Sequence, residues 1–95
     1  MDEVFRILGR HGKEIYLSKE RWAHIVSEHP EVAPYFPEFE PALRNPGAVK
    51  QFSEDPSIFY FYRFIKPKRR FLLVIVKYLN GEGFVITAYL VRHIQ

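Results

Sequence analysis

The last third of the chain carries a turn signal that restricts the fold more than any other feature. Two apolar, β-branched runs, 71–79 and 84–92, flank the tetrapeptide Asn80-Gly81-Glu82-Gly83. Asn-Gly between two such runs is among the strongest short-range signals for a β-hairpin. Both faces of both strands are mostly apolar, which predicts that they lie centrally in a sheet, covered on both sides or buried in an oligomer.

The segment before this hairpin contains one clear helix and one less regular helix. Ser18 is a suitable N-cap for a helix over residues 19–29, which Pro30 ends. A second, short helix is expected near residues 37–44. Pro41 is either awkward in the interior of that helix or marks a later start, with the proline in the first turn.

Two further segments join the hairpin to make a sheet. Residues 57–65 form a strongly aromatic strand pattern and residues 48–53 a weak one. Short connections favour antiparallel pairing of neighbours. The sequence therefore predicts an α+β fold, with a layer of one or two helices packed on a four-stranded antiparallel sheet. Residues 4–8 and 13–17 would add an N-terminal hairpin.

Length and composition indicate a single domain, residues 1–95. The chain contains no cysteine, which excludes a disulfide scaffold, thiolate chemistry and the common structural zinc sites. The charged start at residues 1–6 does not resemble a signal peptide, and no apolar run approaches the ~20 residues of a membrane span. We therefore expect a soluble cytoplasmic protein that does not engage a membrane.

The positive charge is concentrated in one segment. The net charge is +3, and residues 63–70 contain a basic cluster: Arg63, Lys66, Lys68, Arg69 and Arg70. A basic cluster indicates an anionic partner, most commonly nucleic acid. By itself, however, the charge favours a solubilising turn on an aggregation-prone sheet.

His29 is the candidate for proton transfer among the histidines. It continues the apolar stripe of Trp22, Ile25 and Val26 at the carboxyl end of the first helix. There it is either a core-edge residue or a group that binds phosphate or transfers a proton. The histidine spacings match no metal-ligand motif, and no phosphate loop or dinucleotide fingerprint is present, so neither a metal nor a cofactor is expected.

Polar residues interrupt the two strands of the hairpin, at Lys77, Thr87, Tyr89 and Arg92. They are either the wet edges of an ordinary sheet or parts of a site. A two-residue turn would place Lys77 opposite Phe84, on the face away from Thr87. A three-residue turn would place Lys77 opposite Val85, on the same face as Thr87. The sequence allows both turns.

An ordered set of motifs runs through most of the chain. The motifs are Leu17-Ser18-x-Glu20-Arg21-Trp22-x-His24-Ile25, Glu28-His29-Pro30-Glu31-Val32, the aromatic strand, and Leu73-Val74-x-Val76-Lys77-x-Leu79-Asn80-Gly81-Glu82-Gly83-Phe84-x-Ile86-Thr87-Ala88-Tyr89-Leu90. Together they resemble small phage-type and bacterial members of the Barnase–EndoU–Colicin–RelE nuclease-like group. The resemblance covers residues 17–94. It implies a nuclease-like core at 18–95 and an added hairpin at 1–17.

This resemblance also implies an activity, namely metal-independent endoribonuclease cleavage of RNA by its own 2′-hydroxyl. Such cleavage needs a base, an acid and cations at the transition state. The implied partners are RNA and a cognate inhibitor or antitoxin protein. The catalytic positions that the resemblance implies are His29, Lys77, Thr87 and Tyr89. For this chemistry, the basic cluster, the aromatic strand and the last strand offer candidate substrate contacts at Tyr62, Arg63, Arg69, Arg70 and Arg92.

Two other classes of function remain open. The same basic, aromatic sheet suits a non-catalytic module that binds nucleic acid or protein. The apolar strands also suit a structural domain that forms homo-oligomers through its sheet. Convergence of His29, Lys77 and Thr87 on one solvent-open pocket would favour the enzyme.

Overall fold

The computed structural model describes residues 2–95 and has an α+β fold with two α-helices and a six-stranded mixed sheet. The strands are β1 (Glu3–Leu8), β2 (Glu14–Ser18), β3 (Ala48–Gln51), β4 (Ile58–Ile65), β5 (Arg70–Leu79) and β6 (Glu82–Val91). The helices are α1 (Lys19–Glu28) and α2 (Phe39–Arg44). A 3-10 segment, Pro30–Glu38, joins the two helices, and a 3-10 turn, Lys66–Lys68, joins β4 to β5.

The sheet is larger than the sequence predicts. Its strand order is β1-β2-β6-β5-β4-β3, and β3 to β6 form the expected antiparallel unit of four strands. The N-terminal hairpin extends this unit because β2 runs parallel to β6, pairing Ile15 with Gly83 and Tyr16 with Phe84. The α+β class is therefore confirmed, and the prediction of a four-stranded antiparallel sheet matches only in part, because the sheet has six strands and is mixed. A parallel contact between distant segments leaves no local signal in a sequence.

Helix α1 begins and ends close to the predicted residues. The Ser18 hydroxyl accepts a hydrogen bond from the backbone N–H of Arg21 at 3.0 Å, which caps the first turn. The helix ends at Glu28 because Pro30 disfavours helical geometry at His29, whose φ is −134° and ψ is 67°. The chain thus leaves the helix at His29.

Proline residues shape the segment that follows α1. Pro34 and Pro37 lie inside the 3-10 segment, so α2 begins only at Phe39. Pro41 falls in the first turn of α2, where its missing N–H costs no helical hydrogen bond. The later start is therefore the correct interpretation of Pro41. Within residues 2–95, neither α-helix is long and apolar enough to cross a membrane.

The main core lies between the helical layer and one face of the sheet. Trp22 is half-buried there against Phe36 and Phe39, with ring centroids 5.0 and 5.6 Å away. The helical layer contributes fully buried side chains at Ile25, Val32, Phe39, Ala42 and Leu43, and the sheet contributes Ile15, Leu17, Phe61, Leu72, Val74 and Val76.

The opposite face of the sheet, called the open face below, carries a second apolar cluster. Its buried members are Tyr62, Leu73 and Ile75, on the two strands β4 and β5. Half-buried aromatic rings, including Tyr60 and Tyr89, flank them. Both faces of the central strands are thus largely removed from water, as their apolar composition predicts.

Candidate functional site

A β-bulge determines which polar side chains of the hairpin share a face. The turn is the two-residue form, with Asn80 and Gly81 both at positive φ, and Lys77 lies opposite Phe84. Between the pairs Val76–Val85 and Ile75–Thr87, however, the register shifts by one residue. Strand β6 has one extra residue at this point, so the residues after the bulge lie on the face opposite to the one that a regular strand would give them. Lys77 and Thr87 therefore both lie on the open face. Neither turn alternative foresaw this combination.

Tyr89 lies further along the same face, opposite Leu73. Thr87 is opposite Ile75, so it lies between Tyr89 and the level of Lys77. Leu73, which is opposite Tyr89, and Lys77 are four residues apart along β5, a separation of about 13 Å. The three predicted positions therefore share one face without being in mutual contact.

His29 reaches this region around the edge of β6. Strand β2 pairs only with the start of β6, at Gly83 and Phe84, which leaves the later half of that edge accessible from the end of α1. The His29 ring stacks on Tyr89, with centroids 5.0 Å apart and planes 29° apart. Its Nδ1 lies 3.8 Å from a carboxylate oxygen of Glu31. His29 therefore has an aromatic neighbour on one side and an acidic one on the other.

A cavity of about 540 Å³ opens on the same face beside Tyr89. We call it the tyrosine cavity, and its lining residues are Lys50, Gln51, Phe52, Ser53, Tyr60, Tyr62, Leu73, Tyr89, Val91 and Gln95. Phe52 stacks on Tyr60, with ring planes only 12° apart. Tyr62 is fully buried, and its hydroxyl has no hydrogen-bond partner within residues 2–95.

The Tyr89 phenol is held in its protonated form. Burial raises the pKa of Tyr89, and the neighbouring phenols of Tyr60 and Tyr62 raise it further. At neutral pH the Tyr89 hydroxyl is therefore a hydrogen-bond donor rather than a phenolate.

Lys77 is paired with an acid that sequence reasoning did not single out. Its Nζ lies 3.4 Å from a carboxylate oxygen of Asp55. The other oxygen of Asp55 accepts hydrogen bonds from the backbone N–H and the hydroxyl of Ser57, at 3.0 and 2.6 Å. The hydrogen bonds from Ser57, and then Lys77, lower the pKa of Asp55. Part of the Lys77 charge is therefore neutralised within the protein.

The predicted arginine contacts do not gather on the open face. Arg63 lies opposite Leu72 on the helix-covered face, where its Nε bonds to Glu38 at 2.5 Å. Arg69 is exposed in the β4–β5 connection and has a left-handed backbone, with φ 54°. Arg92 is exposed beyond the end of β6. Only Tyr62, among the predicted substrate contacts, lines the tyrosine cavity.

Arg70 belongs to a second depression, on the other side of the β6 edge. This basic groove, of about 460 Å³, is lined by Glu31, Pro34, Tyr35, Lys68, Arg70 and Leu90. Leu90 follows Tyr89 directly in β6, so the groove and the tyrosine cavity flank the same short stretch of strand. Because Glu31 lines the groove and Tyr89 lines the cavity, His29 lies between the two.

Neither His24 nor His11 lines the tyrosine cavity or the basic groove. His24 is exposed on α1 and its Nε2 lies 3.3 Å from Glu28. His11 lies in the β1–β2 turn, with its Nδ1 3.2 Å from the Tyr78 hydroxyl. Burial raises the pKa of Tyr78 to about 12. Within residues 2–95, no group of three or more His, Asp and Glu side chains is arranged to hold a metal ion.

Sequence reasoning missed three members of this region. Glu31 had a signal, because it lies two residues after His29 and must stay near it across Pro30. Phe52 and Asp55 had none, since both lie outside the strands β3 and β4 and their places depend on how that loop folds.

Comparison with known proteins gives no further guide to the activity. No family model, no curated protein and no solved structure matches the chain. The inference of function therefore rests on the side chains around His29 and Tyr89.

Proposed function

We propose that this protein is a metal-independent ribonuclease that cleaves single-stranded RNA by means of the RNA's own 2′-hydroxyl. The observation that carries the proposal is the setting of His29, which stacks on Tyr89 while its Nδ1 faces Glu31. At 3.8 Å the Glu31 carboxylate lies near Nδ1 but beyond hydrogen-bond distance, so the stack on Tyr89 is the contact that orients the ring. The resemblance of the flanking motifs to the Barnase–EndoU–Colicin–RelE group points to the same chemistry.

His29 and Tyr89, whose rings stack on each other, each have one role in the proposed reaction. His29 takes the proton of the 2′-hydroxyl, the 2′-oxygen attacks the adjacent phosphorus, and the bond from phosphorus to the 5′-oxygen breaks. The 5′-oxygen leaves with a proton from water. The protonated Tyr89 hydroxyl donates a hydrogen bond to the phosphate oxygens, where negative charge develops. The products are a 2′,3′-cyclic phosphate and a 5′-hydroxyl end.

The two depressions beside His29 support a path for RNA across the edge of β6. The aromatic tyrosine cavity suits an unstacked base, since bases stack readily on tyrosine and phenylalanine. The basic groove, with Lys68 and Arg70, suits the neighbouring phosphates. A strand that crosses between them would bring one ribose and its phosphate to His29.

A second candidate is an RNA-binding module that does not cleave. The observation that favours it is the ion pair of Lys77 with Asp55. A cation at the scissile phosphate contributes strongly to catalysis, and Lys77 is both engaged by Asp55 and displaced along the sheet from Tyr89. The two candidates share the same RNA surface and differ only in turnover.

Product analysis in a chelator separates these candidates. The purified protein is incubated with mixed-sequence single-stranded RNA in excess EDTA, alongside the same sequence made entirely of DNA. The ribonuclease proposal expects 2′,3′-cyclic phosphate and 5′-hydroxyl ends from the RNA, and no cleavage of the DNA. Salt-dependent binding of RNA without any cleavage would instead establish the binding module. Cleavage that requires Mg²⁺, or that yields 5′-phosphate ends, would contradict the mechanism.

A further inference from the structure

Building on the proposed action on RNA, we infer that the tyrosine cavity is a recognition site for a single unpaired nucleobase. In this site the hydroxyl of Tyr62 bonds to the edge of the base, while the surrounding rings stack on its faces. The site would give the enzyme a preference among the four bases, in addition to its chemistry at His29.

The unpartnered hydroxyl of Tyr62 is the first reason for a ligand here. A buried hydroxyl without a hydrogen-bond partner is costly, and nearly all buried polar groups in proteins are satisfied. Tyr62 lines the cavity while its hydroxyl is almost entirely covered, so a ligand reaches this hydroxyl when a neighbouring side chain of the cavity shifts. A ligand group that enters this cavity and bonds to the hydroxyl would remove the cost.

The walls of the cavity show what shape of ligand fits. Tyr60 and Phe52 form one aromatic wall, with ring centroids 5.8 Å apart and nearly parallel planes. Tyr89 contributes a further ring, and Leu73 and Val91 contribute apolar surface. At about 540 Å³ the cavity lies within the usual range for small-molecule sites, roughly 300–1,000 Å³. A flat, aromatic group is the ligand that such walls bind best.

The mouth of the cavity has the polarity that a nucleotide needs. Lys50 lies opposite Tyr60 in the pairing of β3 with β4, on the open face, and supplies an exposed positive charge at the cavity. An apolar interior with a few polar groups and a cationic mouth matches a base attached to a phosphate, rather than a purely apolar ligand.

The test measures binding of isolated nucleotides, which does not depend on cleavage. The four nucleoside 3′-monophosphates are titrated by calorimetry into the wild type, Tyr62→Phe and Tyr16→Phe, where Tyr16 serves as a matched control on β2, outside the cavity. We expect one nucleotide to bind more tightly than the other three. Tyr62→Phe should lower the affinity for that nucleotide by about tenfold and the affinity for the other three by less. Tyr16→Phe should bind all four nucleotides as the wild type does.

Three results would overturn the base site. They are equal affinity for all four nucleotides, an unchanged profile in Tyr62→Phe, and displacement of the nucleotide by inorganic phosphate alone, which would show recognition of phosphate only. If the nucleotide binds selectively but RNA is never cleaved, the base site stands and the ribonuclease proposal fails. If RNA is cleaved with no base preference, the ribonuclease stands and the base site fails.

Discussion

The imidazole of His29 lies against the phenol ring of Tyr89, with ring centroids 5.0 Å apart, although one residue follows the first helix and the other lies in the last strand. The contact depends on three features of the fold. Pro30 ends α1 at the right place, β2 leaves the later part of the β6 edge accessible, and the bulge in β6 turns Tyr89 onto the open face.

Two substitutions at Tyr89 separate the roles of its hydroxyl and its ring. Tyr89→Phe keeps the stack on His29 and removes only the donor, so we expect RNA binding close to that of the wild type and a cleavage rate lower by about 10², typical for loss of one positioned donor. Tyr89→Leu also removes the ring and should weaken binding as well. The measurements are the dissociation constant for a short RNA and the single-turnover rate. Equal rates in Tyr89→Phe and the wild type would remove the hydroxyl from the mechanism.

Tyr62→Phe should stabilise the free protein. The substitution deletes a buried hydroxyl that has no partner, and such a group costs about 1–3 kcal/mol. We therefore expect an increase of about 1 kcal/mol in the free energy of unfolding, measured by urea denaturation. Tyr16→Phe, where the ring is only half-buried, is the control and should change little. A marked loss of stability in Tyr62→Phe would mean that the hydroxyl is satisfied in solution.

Acid should weaken the fold through the cluster around Asp55. Because the pKa of Asp55 is lower in the folded protein than its ordinary value of 3.8, its contribution is fully present above that value. It is lost as the pH falls through the lower, folded value, where the carboxylate that holds Ser57 and Lys77 becomes protonated. Ser57→Ala removes the strongest of these contacts.

We expect Ser57→Ala to lower the free energy of unfolding at neutral pH. As the pH drops from neutral to below 3.8, the free energy of unfolding of this variant should fall by less than that of the wild type. Urea midpoints at several pH values give the comparison. Some decline should persist, because a hydrogen bond from Arg6 lowers the pKa of Glu3 in the same direction. An acid dependence that is identical in Ser57→Ala and the wild type would contradict this account.

Trp22→Ala tests the packing of α1 against the 3-10 segment and α2. The ring fills space against Phe36 and Phe39 but is only half-buried, so the cost should lie near the lower end of the range for large aromatic residues in cores, about 3 kcal/mol. Arg21→Ala, on the exposed side of the same helix, should change stability by less than about 0.5 kcal/mol. Circular dichroism follows both, since Trp22 is the sole tryptophan. Similar costs in the two variants would exclude Trp22 as a packing anchor.

The parts of the fold that the sequence predicted depend on local chemistry. Ser18 and Pro30 set the ends of α1, and Asn80-Gly81 sets the turn, because capping, proline geometry and positive φ act within a few residues. The parallel pairing of β2 with β6 was missed, since it joins segments far apart in the chain and depends on the whole sheet.

The candidate site was predictable only in part. Lys77, Thr87 and Tyr89 stood out as polar residues in apolar strands, but their common face depends on a bulge at a position where Val85, Ile86 and Thr87 give no turn signal. The ion pair of Asp55 with Lys77 could not be predicted either, because the two residues are 22 positions apart and no sequence spacing indicates such a pair.

The rate of RNA cleavage by His29→Gln tests whether His29 transfers the proton in the reaction. The substrate is a single-stranded oligonucleotide in EDTA, and the control is His24→Gln, which changes an exposed histidine of α1. We expect cyclic-phosphate products from the wild type and His24→Gln at similar rates, and a rate lower by about 10²–10⁴ in His29→Gln, with RNA binding retained. Equal cleavage by His29→Gln and the wild type, prepared in parallel, would contradict the assignment of His29 as the proton-transfer group.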